Sequence, residues 1–229
     1  MSLDVLYDQG PCLVVLKPAG LATQAPPGID SLESRVREWY RSREAKTGNL
    51  YLGVPHRLDR AVSGAVVFAR HVRAARRLSE QFEKRTVRKI YWAAVEGRVT
   101  PSEGEWRDRM AKVPEEARAE IVDEANPLGK EAWLSYRSIG GSEHGSFLEI
   151  ELGTGRMHQI RVQASSRGFP ILGDALYGSK IGFGPETPDA RQRAIALHGR
   201  RLCFLHPMTR EPVDIEAPLP KSWEKLGLE

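Results

Sequence analysis

Short apolar runs that end at a glycine or a proline set the pattern of this chain. The run CLVVLK at 12–17 predicts a buried strand that ends at PAG, and GAVVFA at 64–69 predicts a second buried strand. KIYWAAVEG at 89–97 is rich in strand-forming residues, SFLEIEL at 146–152 alternates as a half-buried strand does, and RLCFLHP at 201–207 predicts a last strand. The chain is therefore expected to be rich in β-structure.

Helical spacing of apolar residues predicts helices between some of these strands. Asp30 is a candidate N-cap with Glu33 in the capping-box position, and an apolar stripe follows it. A second stripe runs from His71 to about Arg85, and residues 156–166 can form a third helix. The apolar positions of the two stripes are Leu32, Val36, Trp39, Tyr40, Val72, Ala75, Leu78 and Phe82.

The order of these elements bounds the fold. Residues 101–130 are polar and are predicted to be a surface excursion with irregular strands. The sequence carries no internal repeat and no low-complexity linker, so residues 1–229 are predicted to form a single domain. Strands outnumber helices and do not alternate with them regularly, which favours an α+β domain over a doubly wound one.

The composition is that of a folded globular protein. With 229 residues, 41% of them hydrophobic and 28% charged, the chain is long enough to bury a core and too apolar to be disordered. The net charge is +4 and the sequence pI about 9.1. This weak excess does not identify a polyanionic partner, so local clusters of charge are more informative.

Cysteine, histidine and hydropathy patterns exclude several classes of protein. Cys12 and Cys203 are far apart and form no CxxC pair, which argues against both zinc and a structural disulfide. The six histidines are scattered and no HExxH is present, so no metal is predicted. No signal peptide or membrane span is seen. A cytoplasmic protein without membrane association is expected.

The stretch VPHRLDRAVSG at 54–64 contains the first candidate for chemistry. Asp59 stands between Arg57 and Arg60, so its carboxylate is expected to stay ionised where these side chains meet. An ionised carboxylate in a cleft can act as a nucleophile or as an electrostatic partner. The alternative is that Asp59 is a turn residue with two solvated arginines nearby.

The stretch GTGRMHQIRVQASSRGFPILGDALYG at 153–178 is the second candidate. Arg156, His158, Arg161 and Arg167 cluster along its predicted helix, and Arg161 can pair with an acid or with phosphate. The GTG turn can expose backbone N–H groups to an anion. A glycine-rich turn is more often only a turn, so this signal is weak by itself.

Tyr91 and the basic clusters are weaker signals. Tyr91 can move a proton or stack on a base, although a half-buried strand residue is the simpler interpretation. Two runs of basic residues either track phosphates or form solvated helix faces. They consist of Arg70, Arg73, Arg76, Arg77, Lys84, Arg85, Arg88 and Lys89, and of Arg35, Arg37, Arg41, Arg43 and Lys46.

Taken in order, the motifs resemble one family. LVVLKPAG, PHRLDRAVSGAVVFAR, RKIYWAAVEG, TGRMHQIRVQASSRGFPILGDALYG and ALHGRRLCFLHPMT are similar to the motifs of RluA-type pseudouridine synthases, and the resemblance extends from about Asp4 to Pro218. It implies an α+β fold with a mixed, mainly antiparallel central sheet, flanking helices and a central active-site cleft. It also implies an isomerase that converts specific uridines of rRNA or tRNA to pseudouridine without a cofactor.

The resemblance assigns roles residue by residue. Asp59 corresponds to the catalytic nucleophile, Arg161 to the arginine that pairs with it, and Tyr91 to the tyrosine that packs on the base. Arg57 corresponds to the residue that can replace the flipped base in the RNA stack, and Ile160 to part of the apolar pocket wall. Arg60, Arg156 and His158 are expected to contact the RNA. No obligate protein partner is implied, and a monomer is expected.

This chain departs from the family's motifs at two positions. Val62 stands where the family usually has threonine, and Gln163 where it usually has histidine. Neither change touches Asp59, Tyr91 or Arg161, so activity is still expected while substrate details are open. Many relatives also carry an N-terminal S4-like domain, and here no such domain is expected because the catalytic motifs start at once.

Two other functions are compatible with parts of the sequence. A catalytically silent RNA-binding or RNA-chaperone protein on the same fold would explain the departures, but it leaves the three intact active-site residues without a reason. A glycosidase would use Asp59 as nucleophile and needs a second carboxylate as general acid. Asp174 in GDALYG is the available acid, and its place after a turn is better explained by a structural cap.

Overall fold

The computed structural model describes residues 3–44 and 50–227, with the backbone alone for Glu44. Lys46 of the second basic run lies outside the described residues. The strands are β1 (Val5–Gln9), β2 (Cys12–Lys17), β3 (Ser63–Ala69), β4 (Arg88–Glu96), β5 (Glu103–Lys112), β6 (Ala119–Val122), β7 (Lys130–Ser142), β8 (Gly145–Leu152), β9 (Leu197–Leu205) and β10 (Pro212–Glu216). The α-helices are α1 (Leu32–Glu44), α2 (Val72–Glu83) and α3 (Gln159–Ser165), and short 3-10 helices span Ala175–Tyr177, Ala190–Gln192 and Lys221–Leu226.

The chain divides into two compact units. The first consists of Met1–Lys89, Thr187–Gln192 and Gly199–Pro220, and the second of Ile90–Glu186, Arg193–His198 and Lys221–Glu229. Each unit combines strands with helices, and the strands are not interleaved regularly with the helices, which confirms the α+β class. The single domain over residues 1–229 stays a prediction.

The first unit is built on strands in the order β1-β2-β3-β9, with β10 paired to β9. The pairs β1–β2, β2–β3 and β9–β10 are antiparallel. All residues of β3 are buried, as the uninterrupted apolar run predicts for a strand covered on both faces. Helix α2 packs on these strands through a core of Cys12, Val14, Ala65, Val67, Ala69, Ala74, Ala75, Leu78, Val87, Leu202, Phe204, Val213, Ile215 and Ala217.

The second unit is built on strands in the order β4-β8-β7-β5-β6, and each of these neighbouring pairs is antiparallel. The seven-residue helix α3 packs on them, since Val162 joins Met110, Ala119 and Ala132 in one buried cluster. The observed antiparallel pairing agrees with the predicted mainly antiparallel sheet. It follows that α3, which carries Arg161, rests on strands from the polar region 101–130.

That polar region is more regular than predicted. Residues 103–112 and 119–122 form β5 and β6, and Trp106 and Met110 are buried. The predicted irregular surface excursion is therefore wrong. The Arg107 side chain is exposed, and its guanidinium lies over the Trp133 ring, with Cζ 5.2 Å from the ring centroid.

Two helix starts differ from the prediction. Ser31, rather than Asp30, caps α1, because the Ser31 hydroxyl accepts the Ser34 N–H at 3.1 Å while the Ser34 hydroxyl accepts the Ser31 N–H at 3.0 Å. Asp30 instead forms an ion pair with Arg35. In α2 the predicted stripe is wrong at Val72, which is 64% exposed as the first residue of the helix.

The strand at 201–207 begins earlier, as β9 at Leu197, and it is followed by β10 rather than being the last strand. Helix α3 is shorter than the predicted 156–166, because His158 adopts a left-handed conformation with φ of 53° directly before it.

Candidate active site

Asp59 is the first residue of a turn that leads into strand β3. The Asp59 carbonyl accepts the N–H of Val62 at 3.1 Å, and β3 starts at the next residue. The backbone of Leu58, which precedes Asp59, is held by the hydroxyl of Thr23. Thr23 Oγ1 accepts the Leu58 N–H at 3.1 Å and donates to the Leu58 carbonyl at 2.8 Å. The backbone that carries the half-buried Asp59 is therefore anchored before and after the acid.

Lys17 provides a further anchor for the Asp59 turn, which the sequence motifs did not assign to the site. Its side chain is fully buried at the end of β2. The ammonium donates to the carbonyls of Leu21 at 2.7 Å, Pro18 at 2.9 Å and Arg60 at 3.2 Å. A lysine that closes a fully apolar strand was the available signal, because lysine is rarely buried without partners.

The charge on Lys17 is set by opposing effects. Burial lowers the pKa of the Lys17 ammonium to about 7, while the Asp59 carboxylate acts in the opposite direction and Arg60 adds a smaller lowering effect. One cation that faces Asp59 is therefore Lys17, which lies 42 positions away in the sequence. Its contacts also tie the end of β2 to the turn that carries the acid.

The arginines next to Asp59 do not meet it. Arg57 and Arg60 are exposed, and no ion pair to either guanidinium is present in the part of the chain that the structure describes. These positions agree with the alternative interpretation of the motif, in which Asp59 is a turn residue with two solvated arginines nearby. Their guanidinium groups are instead presented to solvent.

His56 holds the start of the same loop. Its ring stacks on Phe82 of α2 with centroids 4.5 Å apart and planes 17° apart, and its Nε2 accepts the N–H of Val67 at 3.0 Å. Removal of the ring from water, with the Lys89 ammonium as a smaller cause, lowers the pKa of His56 to about 3. His56 is therefore a neutral structural residue.

In the second unit, Tyr91 lies on β4 opposite Ile150 of β8. It is half-buried, between the buried Ile90 and the half-buried Trp92. The Trp92 indole donates to Glu149 at 3.3 Å. Tyr91 is thus a half-buried strand residue, as the simpler interpretation of the sequence has it, and its role toward a base stays a prediction.

Arg161 is buried on α3 and forms a two-point ion pair with Asp174. Its Nε donates to Asp174 Oδ2 at 2.7 Å and its Nη2 to Oδ1 at 2.8 Å. The exposed fractions of the two side chains are 7% and 1%. Because both carboxylate oxygens of Asp174 are engaged by Arg161, the geometry argues against Asp174 as a general acid and assigns it to holding this arginine.

The other predicted residues near α3 have separate partners. His158 Nδ1 lies 2.8 Å from the hydroxyl of Tyr177. Arg156 Nε donates to the Glu131 carbonyl at 2.9 Å, and Ile160 is 4% exposed. The structure thus ties His158 and Arg161 to the same segment, residues 174–177, whereas Arg156 is held on β7.

Two backbone N–H groups of the GTG turn are occupied by hydrogen bonds within the protein. The N–H groups of Gly153 and Thr154 both donate to the carbonyl of Trp133, each at 3.2 Å. The Thr154 hydroxyl accepts the Trp133 N–H at 2.9 Å and donates to Gln159 at 2.7 Å. The turn therefore joins β7 to α3, and two of its N–H groups are already used.

Both departures from the family motifs occupy buried positions. Val62 is 2% exposed and closes the turn at Asp59 through its backbone. The Gln163 side chain is fully buried, donates to Asp108 at 2.6 Å and accepts from Gln159 at 3.0 Å. Each residue is accommodated by its local packing, and Gln163 satisfies its amide within the unit.

The two basic runs differ in how far they are neutralised. Each described arginine of the second run has an acidic partner, in the pairs Arg35–Asp30, Arg37–Glu33, Arg41–Glu38 and Arg43–Asp8. In the first run, Arg76 pairs with Glu80. Arg73, Lys84 and Arg85 are exposed and have no ion pair within the described residues.

No group of three or more histidine, cysteine, aspartate or glutamate side chains within 3–44 and 50–227 could hold a metal ion. Over the same residues, no helix combines the length and the apolar character that crossing a membrane requires.

Comparison with known sequences identifies the family of this chain. The sequence profile of the family described as RNA pseudouridylate synthase matches residues 11–166. An RNA pseudouridine synthase of Synechocystis is 31% identical over 233 residues, which cover 99% of this chain and 68% of that protein. Ribosomal large subunit pseudouridine synthase D of Xylella fastidiosa is 34% identical over 228 residues, which cover 96% of this chain and 67% of that protein.

Comparison with solved structures supports the fold. Human RNA pseudouridylate synthase domain containing 4 matches with a TM-score of 0.79 and 23% identity, over 99% of this chain and 94% of that chain. At this identity the likeness concerns the fold alone. The profile covers more than half of the sequence, and relatives above 30% identity match almost all of it, so the chain belongs to the RNA pseudouridylate synthase family.

Proposed function

We propose that this chain converts specific uridines of ribosomal or transfer RNA to pseudouridine, with Asp59 as the nucleophile. The observation that carries the proposal is the anchored turn at Asp59: Lys17 and Thr23 hold its backbone on both sides while the side chain is half-buried. Family membership supports an RNA uridine isomerase. A catalytic carboxylate needs such a fixed backbone, because small displacements of a reacting group cost large factors in rate.

The isomerisation consumes no redox equivalent, so the side chains must supply the chemistry. Asp59 attacks the bound uridine and forms a transient covalent bond, and the bond between the sugar and the base nitrogen breaks. The base turns and bonds to the sugar through a ring carbon, and the bond to Asp59 breaks again. That carbon loses its proton and the freed ring nitrogen takes one up, so the product is an isomer of the substrate. Arg161 pairs with Asp59 and keeps it ionised, and Tyr91 packs on the base and moves the sugar proton. Ile160 contributes to the apolar wall of the pocket.

The target uridine must first leave the RNA stack, which costs a few kcal/mol. Arg57 is exposed directly before the Asp59 loop, and it fills the gap that the flipped base leaves. Arg60, Arg156 and His158 add contacts to the RNA backbone. Arg73, Lys84 and Arg85 carry exposed charge without an acidic partner in the described chain, which suits phosphate contacts that weaken with salt. The enzyme is proposed to act as a cytoplasmic monomer.

The test is substitution of Asp59 by asparagine, which keeps the size and removes the charge. Purified wild-type and D59N protein would be incubated with unmodified transcripts of rRNA and tRNA, and pseudouridine would be mapped by sequence position. Wild-type protein should modify defined uridines, and D59N should modify none. Far-UV circular dichroism and RNA binding should be retained.

A matched control is available in the same unit. Asp30 is an exposed acid that pairs with Arg35, so D30N removes one carboxylate without touching the loop. D30N should modify the same uridines at the wild-type rate. Pseudouridine formation by D59N would overturn the role of Asp59, and RNA binding by wild-type protein without any product would favour the silent RNA-binding function.

A further inference from the structure

The guanidinium of Arg161 is held along one edge by Asp174, and both side chains are almost fully buried. A two-point pair of this kind fixes the guanidinium within its own plane, since two parallel N–H bonds define both distance and orientation. The pair uses Nε and Nη2, so the Nη1 edge lies outside it. Asp174 therefore determines which edge of Arg161 points away from the segment 174–177.

Tyr177 contacts the same guanidinium through its ring. The Cζ atom of Arg161 lies 4.9 Å from the centroid of the Tyr177 ring, which is a cation–π contact. The ring cannot turn freely, because the Tyr177 hydroxyl accepts the Ala119 N–H at 2.9 Å and lies 2.8 Å from His158 Nδ1. Tyr177 is thus tied to β6 and to the start of α3.

The segment that carries both residues is itself rigid. Asp174 and Tyr177 flank a single 3-10 turn, in which the Tyr177 N–H donates to the Asp174 carbonyl at 3.0 Å. The Tyr177 carbonyl accepts the Ser165 hydroxyl at 2.6 Å, which joins this turn to the end of α3. The two groups that hold the guanidinium therefore move as one body with the helix that carries it.

The same unit contains a second arginine built in the same way. Arg167 pairs with Asp108 at 2.9 Å, and its Cζ lies 5.2 Å from the ring of Trp106. The difference is burial, since the Arg167 and Asp108 side chains are 27% and 13% exposed. An ion pair as deeply buried as Arg161–Asp174 carries a large desolvation cost, so stability alone is a weak reason for it.

We propose that Asp174 and Tyr177 are positioning residues that fix the guanidinium of Arg161 for the reaction. The inference rests on the proposed function, in which Arg161 pairs with the nucleophile. Asp174 sets the position of the guanidinium edge, and Tyr177 sets the tilt of its plane. Both residues act through Arg161 and neither touches the substrate.

A double-mutant cycle tests whether they act through Arg161. The rate of pseudouridine formation is measured at several concentrations of an unmodified rRNA or tRNA transcript, in excess over enzyme, for wild type, D174N, R161A and the double variant. D174N should lower kcat by about 10- to 100-fold and leave KM within about twofold. In the R161A background, D174N should cost nothing further. An equal loss in both backgrounds would overturn the proposal.

Variants of Tyr177 separate stacking from hydrogen bonding. Y177F keeps the ring below the guanidinium and should retain kcat within about threefold. Y177L removes the ring and should lower kcat by about tenfold. Equal losses in Y177F and Y177L would show that the hydroxyl contacts, rather than the stack on Arg161, matter. These variants leave the buried ion pair between Arg161 and Asp174 intact, so they test the proposal if D174N does not fold.

The mobility of the Arg161 side chain can be measured by NMR without any catalytic activity. The Nε–Hε resonance of Arg161, assigned by its loss in R161K, should be rigid and slow to exchange in wild type. It should become mobile in D174N and in Y177L while the amide spectrum is retained. A resonance that stays rigid in both variants would overturn the proposal, whatever the activity.

The matched control is D108N. It removes the carboxylate charge of Asp108, which pairs with Arg167 next to the Trp106 ring. D108N should leave kcat and the Arg161 resonance unchanged, although it weakens an ion pair of the same chemistry in the same unit. A loss of kcat in D108N equal to that in D174N would mean that any damage near α3 suffices. Wild-type protein that forms no pseudouridine would refute the proposed function, and the resonance would then judge the positioning of Arg161 alone.

Discussion

Asp59 in the first unit and Arg161 in the second are held by different kinds of contact. The loop of Asp59 is held through its main chain, since Lys17 donates to the Arg60 carbonyl and Thr23 bonds both polar backbone atoms of Leu58. Arg161 is held through side chains, by the carboxylate of Asp174 and the ring beyond it. The Asp59 loop is thus held at backbone carbonyl and amide groups, which any residue supplies. The Arg161 guanidinium is held by the side chains of particular residues.

This difference bears on which sequence changes each region tolerates. A turn held by its backbone accepts different side chains, and Val62 illustrates this because only its N–H is used to close the turn at Asp59. The Arg161 cluster has no such freedom, because shortening or neutralising Asp174 removes the group that binds the guanidinium. Substitutions should therefore be costly at the side chains around Arg161 and at the anchors of the Asp59 loop.

The largest effect on stability is expected for Arg161→Met. It leaves the Asp174 carboxylate, 1% exposed, without its two N–H donors. Breaking one side of a buried pair typically costs about 3–5 kcal/mol, so the free energy of unfolding in urea should fall by that amount. The double variant R161M/D174L removes both charges and should recover most of the loss. A double variant no more stable than R161M would contradict this account.

A smaller effect is expected for Lys17→Met, which tests the backbone anchors of the other region. Methionine fits the apolar surroundings but cannot donate to the carbonyls of Pro18, Leu21 and Arg60. The Arg60 carbonyl still accepts the Gly20 N–H at 2.8 Å. The free energy of unfolding should therefore fall by only about 1–3 kcal/mol. Urea unfolding of K17M would measure it.

The control for Lys17 is Lys84→Met, at an exposed lysine of the same unit. K84M should change the free energy of unfolding by less than about 0.5 kcal/mol. If K17M were as stable as K84M, the carbonyl contacts of Lys17 would not anchor the turn, and the contrast between the two regions would be lost.

The same contrast explains how much of the fold the sequence predicts. Strands β2 and β3 were predicted with bounds correct to within one residue, because uninterrupted apolar runs of strand length have few alternatives. Residues 101–130 were wrongly predicted as irregular, because their strand pattern is obscured by charged side chains. Arg109 is one of these, and its guanidinium donates to the Gly129 carbonyl at 2.6 Å.

Candidate site residues could be predicted from the sequence where they lie in a recognisable motif. They could not be predicted where their place in the site depends on a contact with a residue far away in the sequence. Asp59 and Arg161 lie inside quoted motifs, and their roles stay predictions. The partner of Arg161 is 13 positions away, and Lys17 binds a carbonyl 43 positions away. No local pattern encodes such pairs, because only the folded chain brings them together. Adjacency in sequence likewise left it open whether Arg57 and Arg60 meet the Asp59 carboxylate, and the structure shows both side chains exposed.

The smallest expected effect concerns pH and His56, which belongs to the region held by main-chain contacts. The folded imidazole has a pKa of about 3, far below its ordinary value near 6.5, and its Nε2 accepts the Val67 N–H. Between these two pKa values the unfolded chain binds a proton that the folded chain does not. Stability is therefore complete above about pH 6.5 and falls as the pH falls.

The loss attributable to His56 between pH 7 and pH 5 should be about 2 kcal/mol, since each pKa unit is worth about 1.4 kcal/mol. Urea unfolding of wild type and H56F at both pH values isolates it, because phenylalanine keeps the stack on Phe82 and carries no titrating group. The carboxylates contribute equally to both proteins and cancel in the difference. For H144F, at an exposed histidine, the free energy of unfolding should instead change between the two pH values by as much as it does for wild type. If H56F also runs parallel to wild type, the imidazole does not stay neutral, and the Val67 contact does not hold the start of the Asp59 loop.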